Sequence, residues 1–301
     1  MSEENKQYME LSRFCKVEQD VPLSRMTTLR IGGIARYVAY PESMLELDQI
    51  VCMAQEMKLP IKVIGKGSNL LCSDEVYEGI VICLGQPLTE FYFDKEECVA
   101  QAGGSLIALA YEAMKHSLSG LEFAAGIPGT LGGATFMNAG AYKNSMKDII
   151  DEVMVYRDHK FEWMKKEECD FQYRHSIFQD NPDWIIVAVR LKLKLSNKND
   201  IESIMSDRRE RRMKAQPLEF PSAGSIFRNL ETISAWEIID QLGYRGKRHG
   251  GALVSPKHVN FIVNENCSTA QEFLELIEMI QMDAKEKMGY DLKTEVEKFN
   301  W

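Results

Sequence analysis

The sequence predicts an α+β protein assembled from α/β lobes, and three observations carry that prediction. Residues 36–84 pass through strand, helix, strand, glycine-loop and strand patterns in turn, the rhythm of a small α/β lobe. A second glycine-rich stretch, Gly126-Ile-Pro-Gly-Thr-Leu-Gly-Gly-Ala-Thr-Phe-Met-Asn-Ala-Gly140, holds five of the 20 glycines in 301 residues. Apolar content of 45% and charged content of 27% belong to a globular chain with a sizeable core, long enough for two or three domains.

The elements follow in order. Residues 1–20 read as a short helix or arm, and Thr27-Thr-Leu-Arg-Ile-Gly-Gly33 as a turn. Arg36-Tyr-Val-Ala-Tyr40 is a strand stopped by Pro41. Ser43 caps a helix over 43–58 in which Leu45, Leu47, Ile50, Val51 and Ala54 form the apolar face. A strand at 61–64, the loop Gly65-Lys-Gly-Ser-Asn-Leu70 and a strand at 79–84 complete a first lobe, 1–85.

The second lobe, 86–198, has short strands at 90–94 and 98–102, a helix from Ser105 to 116, the loop at 126–140 and a strand at 151–157. Residues 184–195 are the clearest strand. Val187, Val189, Leu191, Leu193 and Leu195 alternate with Ala188, Arg190, Lys192 and Lys194, predicting one apolar and one wet face. The third lobe, 199–301, opens with a basic helix ended by Pro217. It continues with a turn at 221–229, a helix at 233–242, a strand at 258–264, a helix over 271–288 capped by Ser268, and a closing strand at 292–297. That last strand is expected to pack back near the cofactor site.

A net charge of −9 excludes general affinity for nucleic acid or anionic membrane, which need a positive field. The N-terminal residues have neither the basic nor the apolar run of a secretory signal, and no apolar run reaches bilayer length. The seven cysteines are odd in number, scattered and free of C-x-x-C pairs. They fit reduced thiols of a cytoplasmic protein rather than a disulfide frame or zinc site, so no metal is expected. The expected assembly is a monomer or weak oligomer.

A glycine loop leaves backbone N–H groups uncovered, and where it runs into a helix start it favours a phosphate. The spacing at 126–140 matches neither G-x-G-x-x-G nor G-x-x-x-x-G-K-[ST], and a tight packing turn is an equal alternative. Loops 65–70 and 126–140 can together hold the two ends of a diphosphate-linked cofactor. Neither holds a nucleophile or a set of metal ligands.

The connector Phe171-Gln-Tyr-Arg-His-Ser-Ile-Phe178 is rich in polar and aromatic groups. Arg174 can pair with a carboxylate, although a lone arginine is more often a surface ion pair. His175 reads as a loop residue. Ser225, in a Ser-Ala-Gly-Ser turn, lacks any activating pattern, and Glu295 reads as one side of a solvated strand. The basic groups at 208–214 and 245–248 are helix and loop surfaces that can also meet a diphosphate. The residues themselves support a nucleotide- or cofactor-binding α/β protein and no particular reaction.

In their order, five segments resemble the UDP-N-acetylenolpyruvoylglucosamine reductase family: Thr27–Gly33, Gly65–Leu71, Gly126–Tyr142, Tyr173–Phe178 and Pro221–Phe227. Residues 254–264 and 292–296 extend a likeness covering roughly 22–296. The resemblance implies an FAD-binding fold of the vanillyl-alcohol oxidase type in two lobes, plus a C-terminal α+β substrate-binding domain. It implies bound FAD, NADPH as hydride-donating cosubstrate, and reduction of UDP-N-acetylglucosamine enolpyruvate to UDP-N-acetylmuramate for peptidoglycan precursors.

By the same resemblance, Gly65, Lys66, Gly67, Ser68, Asn69 and Leu70 hold FAD, with Gly126, Pro128, Gly129, Thr130, Gly132, Gly133, Ala134, Asn138 and Gly140. Hydride addition to the vinyl carbon leaves an enolate. Arg174 stabilises it, Glu295 in its protonated form donates to it, and Ser225 delivers a proton to the second carbon. Tyr173 and Asn229 hold substrate.

Some positions depart from the family pattern. Lys143 replaces glycine, Leu230 follows Asn229 where proline is usual, Trp236 replaces glycine and His249 an aliphatic residue. Gln216 stands where some members carry a lysine, and a tyrosine-bearing insertion found in one subgroup is absent. The alternatives are an FAD-dependent oxidase or dehydrogenase of the same fold on another substrate, and a catalytically silent nucleotide-binding protein.

Overall fold

The computed structural model describes residues 3–85 and 88–301. The chain forms two compact units, each discontinuous in sequence. The first comprises Met1–Gln19, Arg36–Lys66 and Glu78–Glu210, the second Asp20–Ala35, Gly67–Tyr77 and Arg211–Trp301. The lobe boundary expected at 85/86 adjoins residues 86–87, outside the described residues. The boundary expected near 198 falls at the start of the helix Lys198–Ala215, within which the two units part.

The first unit contains two main sheets. One has the strand order Lys16–Pro22, Ile34–Tyr40, Tyr77–Cys83, Ile61–Ile64, its last pair parallel. Residues 16–20, within the stretch read from sequence as a short helix or arm, belong to its edge strand; the helix stops at Leu11. An edge strand with a polar run and only Val17 fully buried carries too little alternation to be seen. The helix Met44–Glu56 is capped as expected, Ser43 Oγ accepting from Glu46 N at 3.2 Å. It buries Leu47, Ile50, Val51 and Ala54, but Leu45 is 66% exposed, since two positions along a helix is just over half a turn away.

The second sheet is antiparallel, in the order Lys160–Lys165, Ile150–Arg157, Ile185–Lys192, Glu97–Gln101, Phe91–Asp94. Lys160–Lys165 escaped the sequence reading because its two-residue turn, Asp158-His159, lacks glycine yet is left-handed at both positions (φ 48° and 57°). Ile185–Lys192 is the central strand, and the helix Leu131–Phe136 packs against it. Ala188, expected on a wet face, is therefore buried, while Leu195 lies beyond the strand and is 69% exposed.

In the second unit, Arg248–His249, Ala252–Val254 and Ile262–Asn264 form a small antiparallel sheet. The helix Ala270–Met288 buries Phe273, Ile277 and Ile280, as its periodicity requires. Its cap is Thr269 rather than Ser268. Thr269 Oγ1 accepts from Glu272 N, while the Ser268 N–H is taken by Asn264 Oδ1 at 2.9 Å. The closing strand is Glu297–Phe299, parallel to Leu70–Cys72. All seven cysteines are free, and no helix among the described residues is long and apolar enough to cross a membrane.

His258 packs edge-on against Phe261, 4.9 Å between ring centres, and burial with the nearby Arg245 charge holds its pKa below the ordinary value. The unfolded chain takes up this proton as pH falls through about 6.5, while the folded chain resists. Stability from this group is complete above that pH and declines below it. His258→Leu is expected to flatten the pH dependence of urea unfolding over roughly pH 5–6.5, and an unchanged slope would assign the dependence elsewhere.

Candidate active site

Thr130 caps the helix Leu131–Phe136, its Oγ1 accepting from Gly133 N at 3.2 Å. Leu131 N donates to Gly104 O and Gly132 N to Ala102 O, each at 2.8 Å. The first three amides of this six-residue helix are thus satisfied internally. Of the two readings of this loop, these three amides serve the packing one: Leu131 and Gly132 N–H bolt the helix to residues 102–104.

Several loop glycines are needed for packing. A Cβ at Gly65 would lie 2.3 Å from Thr130 Oγ1, at Gly67 (φ +57°) 2.2 Å from Met26 O, at Gly132 2.8 Å from Ala102 Cβ and at Gly140 2.5 Å from Asn144 O. Gly133 is different: it is exposed, and only the Thr130 hydroxyl would come near its Cβ.

Within the first unit, a cavity of about 370 Å³ is lined by Lys66, Gly85, Phe91, Gly103, Gly104 and Ser105, among others. Lys66 Nζ donates to Ser105 Oγ at 3.1 Å, at the start of the helix Leu106–Lys115, whose Leu106 N is held by Gly129 O at 3.2 Å. A Cβ at Gly85 would be in ordinary contact with Gly65 O at 3.5 Å and at Gly104 in tight contact with Gln101 O at 3.2 Å, so bare backbone lines this wall of the cavity. A lysine, a hydroxyl and bare backbone beside a partly apolar cavity suit part of a dinucleotide, a fit for FAD. Sequence reading missed Gly103-Gly104-Ser105, although a glycine pair before a helix start was a usable signal.

The far end of the 126–140 loop builds the Arg174 turn. Asn138, buried and left-handed (φ 41°), donates from Nδ2 to Gln172 O at 2.6 Å and accepts at Oδ1 from Lys147 N at 3.0 Å. Gln172 and His175 pair through backbone bonds of 3.1 and 3.2 Å, with Tyr173 and Arg174 at the tip. Arg174 is itself left-handed (φ 56°), a conformation a long side chain adopts only when its surroundings impose it. Its Nη2 donates to Gly140 O at 2.6 Å, and its guanidinium lies 5.1 Å from the Tyr173 ring centre. Ser176 Oγ and Gln179 Nε2 close the helix by donating to Phe136 O at 2.6 and 3.0 Å. The glycine loop therefore fixes Arg174 directly.

The Ser225 turn and the segment carrying Glu295 are brought together inside the second unit. Glu295 N donates to Ile226 O at 2.7 Å, Arg228 N to Lys293 O at 2.9 Å, and Phe227 bridges Thr294. Buried Asn260 fixes the turn, its Oδ1 accepting from Phe227 N at 3.0 Å and its Nδ2 donating to Phe227 O at 2.9 Å. Asn69 Nδ2 donates to Glu295 O at 3.0 Å, and Glu297 N to Asn69 O at 2.9 Å. The second half of loop 65–70 is thereby tied to the segment carrying Glu295. Arg174 belongs to the first unit and Ser225 and Glu295 to the second.

Asn229 is exposed and accepts at Oδ1 from Ala235 N at 3.0 Å, a helix-start role. Arg228 Nε and Gln216 Oε1 are buried polar atoms with no hydrogen-bond partner, the kind of group a polar ligand would satisfy. Arg248 pairs bidentately with Glu265 at 2.7 and 3.0 Å, and Arg245 with Asp240 at 2.9 Å. That basic loop is largely neutralised by its own carboxylates.

Residues 35–158 match the FAD binding domain family, and residues 216–299 the family described as UDP-N-acetylenolpyruvoylglucosamine reductase, C-terminal domain. The chain is 41% identical over 281 residues to the UDP-N-acetylenolpyruvoylglucosamine reductase of Lactobacillus acidophilus, covering 93% of this chain and 94% of that one. Identity to the corresponding protein of Lactobacillus delbrueckii subsp. bulgaricus is 42%, with the same coverage. The crystal structure of the Thermus caldophilus reductase superposes with a TM-score of 0.82 at 36% identity, covering 95% of this chain and 99% of that chain. An FAD-binding domain followed by this C-terminal domain is the expected fold and makes the chain an oxidoreductase. The chain belongs to the UDP-N-acetylenolpyruvoylglucosamine reductase family.

Proposed function

We propose that this protein uses FAD and NADPH to reduce UDP-N-acetylglucosamine enolpyruvate to UDP-N-acetylmuramate. The observation that best supports this reading is the backbone pairing of Ile226 with Glu295, which brings the Ser225 turn and the segment carrying Glu295 together in the domain that carries the reductase family's name. An oxidase of the same fold has no need of that pair.

FAD, when bound, supplies a hydride acceptor for NADPH and a donor for the vinyl carbon. Lys66 and the backbone at 103–105 would hold phosphate and ribose oxygens, as loop 126–140 sets the edge of the site. Arg174, fixed by Gly140 O, stabilises negative charge on the enolate and carboxylate. Glu295 in its protonated form donates to the same enolate. Ser225 delivers the proton to the second carbon, and a hydroxyl suffices because an enolate is a strong base. Tyr173 and Asn229 border the substrate.

NADPH consumption should depend on the UDP-enolpyruvyl sugar, with UDP-N-acetylmuramate as product. Consumption by the reconstituted flavoprotein that is indifferent to the sugar rejects the reading. The glycines give a second prediction. Gly104→Ala should still fold, the backbone at Gln101 O yielding a few tenths of an ångström to a Cβ at 3.2 Å, but bind FAD at least about 10-fold more weakly, its methyl added to the cavity wall. Gly103→Ala should fail to fold stably, because its Cβ would lie 1.8 Å from Leu84 O. Unchanged FAD affinity in Gly104→Ala would move the cofactor away from this cavity.

A further inference from the structure

Three ligand-bearing side chains outside the proposed active site converge within the first unit. Asp48 and Cys52 stand one helical turn apart on the same side of Met44–Glu56, and His159 is at the tip of the hairpin joining Ile150–Arg157 to Lys160–Lys165. Cys52 Sγ is 3.2 Å from His159 Nδ1 and 3.7 Å from Asp48 Oδ1, and Asp48 Oδ1 is 4.0 Å from His159 Nδ1. A tetrahedral zinc ion with bonds of about 2.0–2.3 Å to oxygen, nitrogen and sulfur keeps its ligands roughly 3.3–3.6 Å apart. The triangle's edges come within about 0.4 Å of that spacing, and its donor types are those of three corners of such a tetrahedron.

The surroundings suit the same purpose. The Tyr156 hydroxyl, on a residue only 2% exposed, donates to Asp48 Oδ1 at 2.6 Å and lies 3.3 Å from His159 Nδ1. Metal-binding carboxylates are commonly oriented by such an outer hydrogen bond. The left-handed backbone at Asp158 and His159 brings the imidazole back over the helix. A scatter of cysteines argues against a zinc site built from cysteine alone, but this one needs a single thiol.

We propose that Asp48, Cys52 and His159 bind one divalent cation of the zinc class, with water in the fourth position, clipping the helix Met44–Glu56 to the hairpin. The test uses full-length flavoprotein stripped with a chelator and titrated with Co²⁺. One equivalent should produce the red d–d bands of a tetrahedral site, beyond flavin absorption, and Zn²⁺ should abolish them. Cys52→Ala should weaken binding at least about 100-fold and Tyr156→Phe about 10-fold, with flavin reduction by NADPH unchanged. Zn²⁺ should raise the thermal midpoint of the wild type and leave that of Cys52→Ala unmoved. Should Cys52→Ala fold poorly, His159→Asn at the exposed hairpin tip gives the same reading. An octahedral spectrum, or equal Zn²⁺ affinity in the wild type and the ligand variant, overturns the proposal.

Discussion

Ser225→Ala is expected to leave reduction of the flavin by NADPH nearly intact and to slow reduction of the enolpyruvyl sugar by about 10²–10⁴-fold. The asymmetry follows from what the hydroxyl does. It has no part in hydride transfer from NADPH, whereas the enolate cannot become product until a proton reaches its second carbon. The substitution leaves the turn's supports in place, because Ile226 and Phe227 are held by Asn260 and Glu295 through backbone groups and the Asn260 amide. Stopped-flow absorbance of the flavin reads the two half-reactions separately. Equal losses in both would make Ser225 a cofactor or folding residue.

Arg174→Ala is expected to cost roughly 10²–10³-fold in the sugar half-reaction, the range for removing one preorganised donor from a developing oxyanion. Arg174→Lys should recover little, since a lysine keeps the charge but lacks the fork that serves Gly140 O and an anion together. Neither change should alter flavin reduction by NADPH more than a few-fold. A lysine variant as fast as the wild type would mean that Arg174 supplies only diffuse charge and that its backbone strain serves another purpose.

What sequence could and could not reveal follows from the physics of each signal. The glycine loops were legible because glycine is informative by itself, yet their meaning was not. Gly65 and Gly132 are glycine because Thr130 and Ala102 leave no room for a Cβ, while Gly104 is glycine beside open cavity. Only coordinates separate a packing glycine from a ligand-facing one.

Arg174, Ser225 and Glu295 were invisible as isolated residues, because a lone charge or hydroxyl is ordinarily a surface group. Only the family pattern gave them roles, and the Ile226–Glu295 backbone pairing then joined the segments that carry two of them. Asn138 shows the reverse: assigned to the cofactor from the pattern, it has both ends of its amide committed to the backbone of neighbouring loops. Helices with buried periodic faces were found within a few residues. Edge strand Lys16–Pro22 and the hairpin strand after His159 were missed, one for its polar composition and one for a turn without glycine. The Asp48–Cys52–His159 cluster was beyond reach, since Cys52 and His159 lie 107 positions apart in the chain.

The most direct test of the proposed chemistry is anaerobic mixing of NADPH-reduced protein with the UDP-enolpyruvyl sugar, following flavin absorbance. Rapid return of the oxidised spectrum with formation of one equivalent of UDP-N-acetylmuramate is the expected result. A flavin that stays reduced in the presence of the sugar, yet reoxidises normally in air, would contradict it.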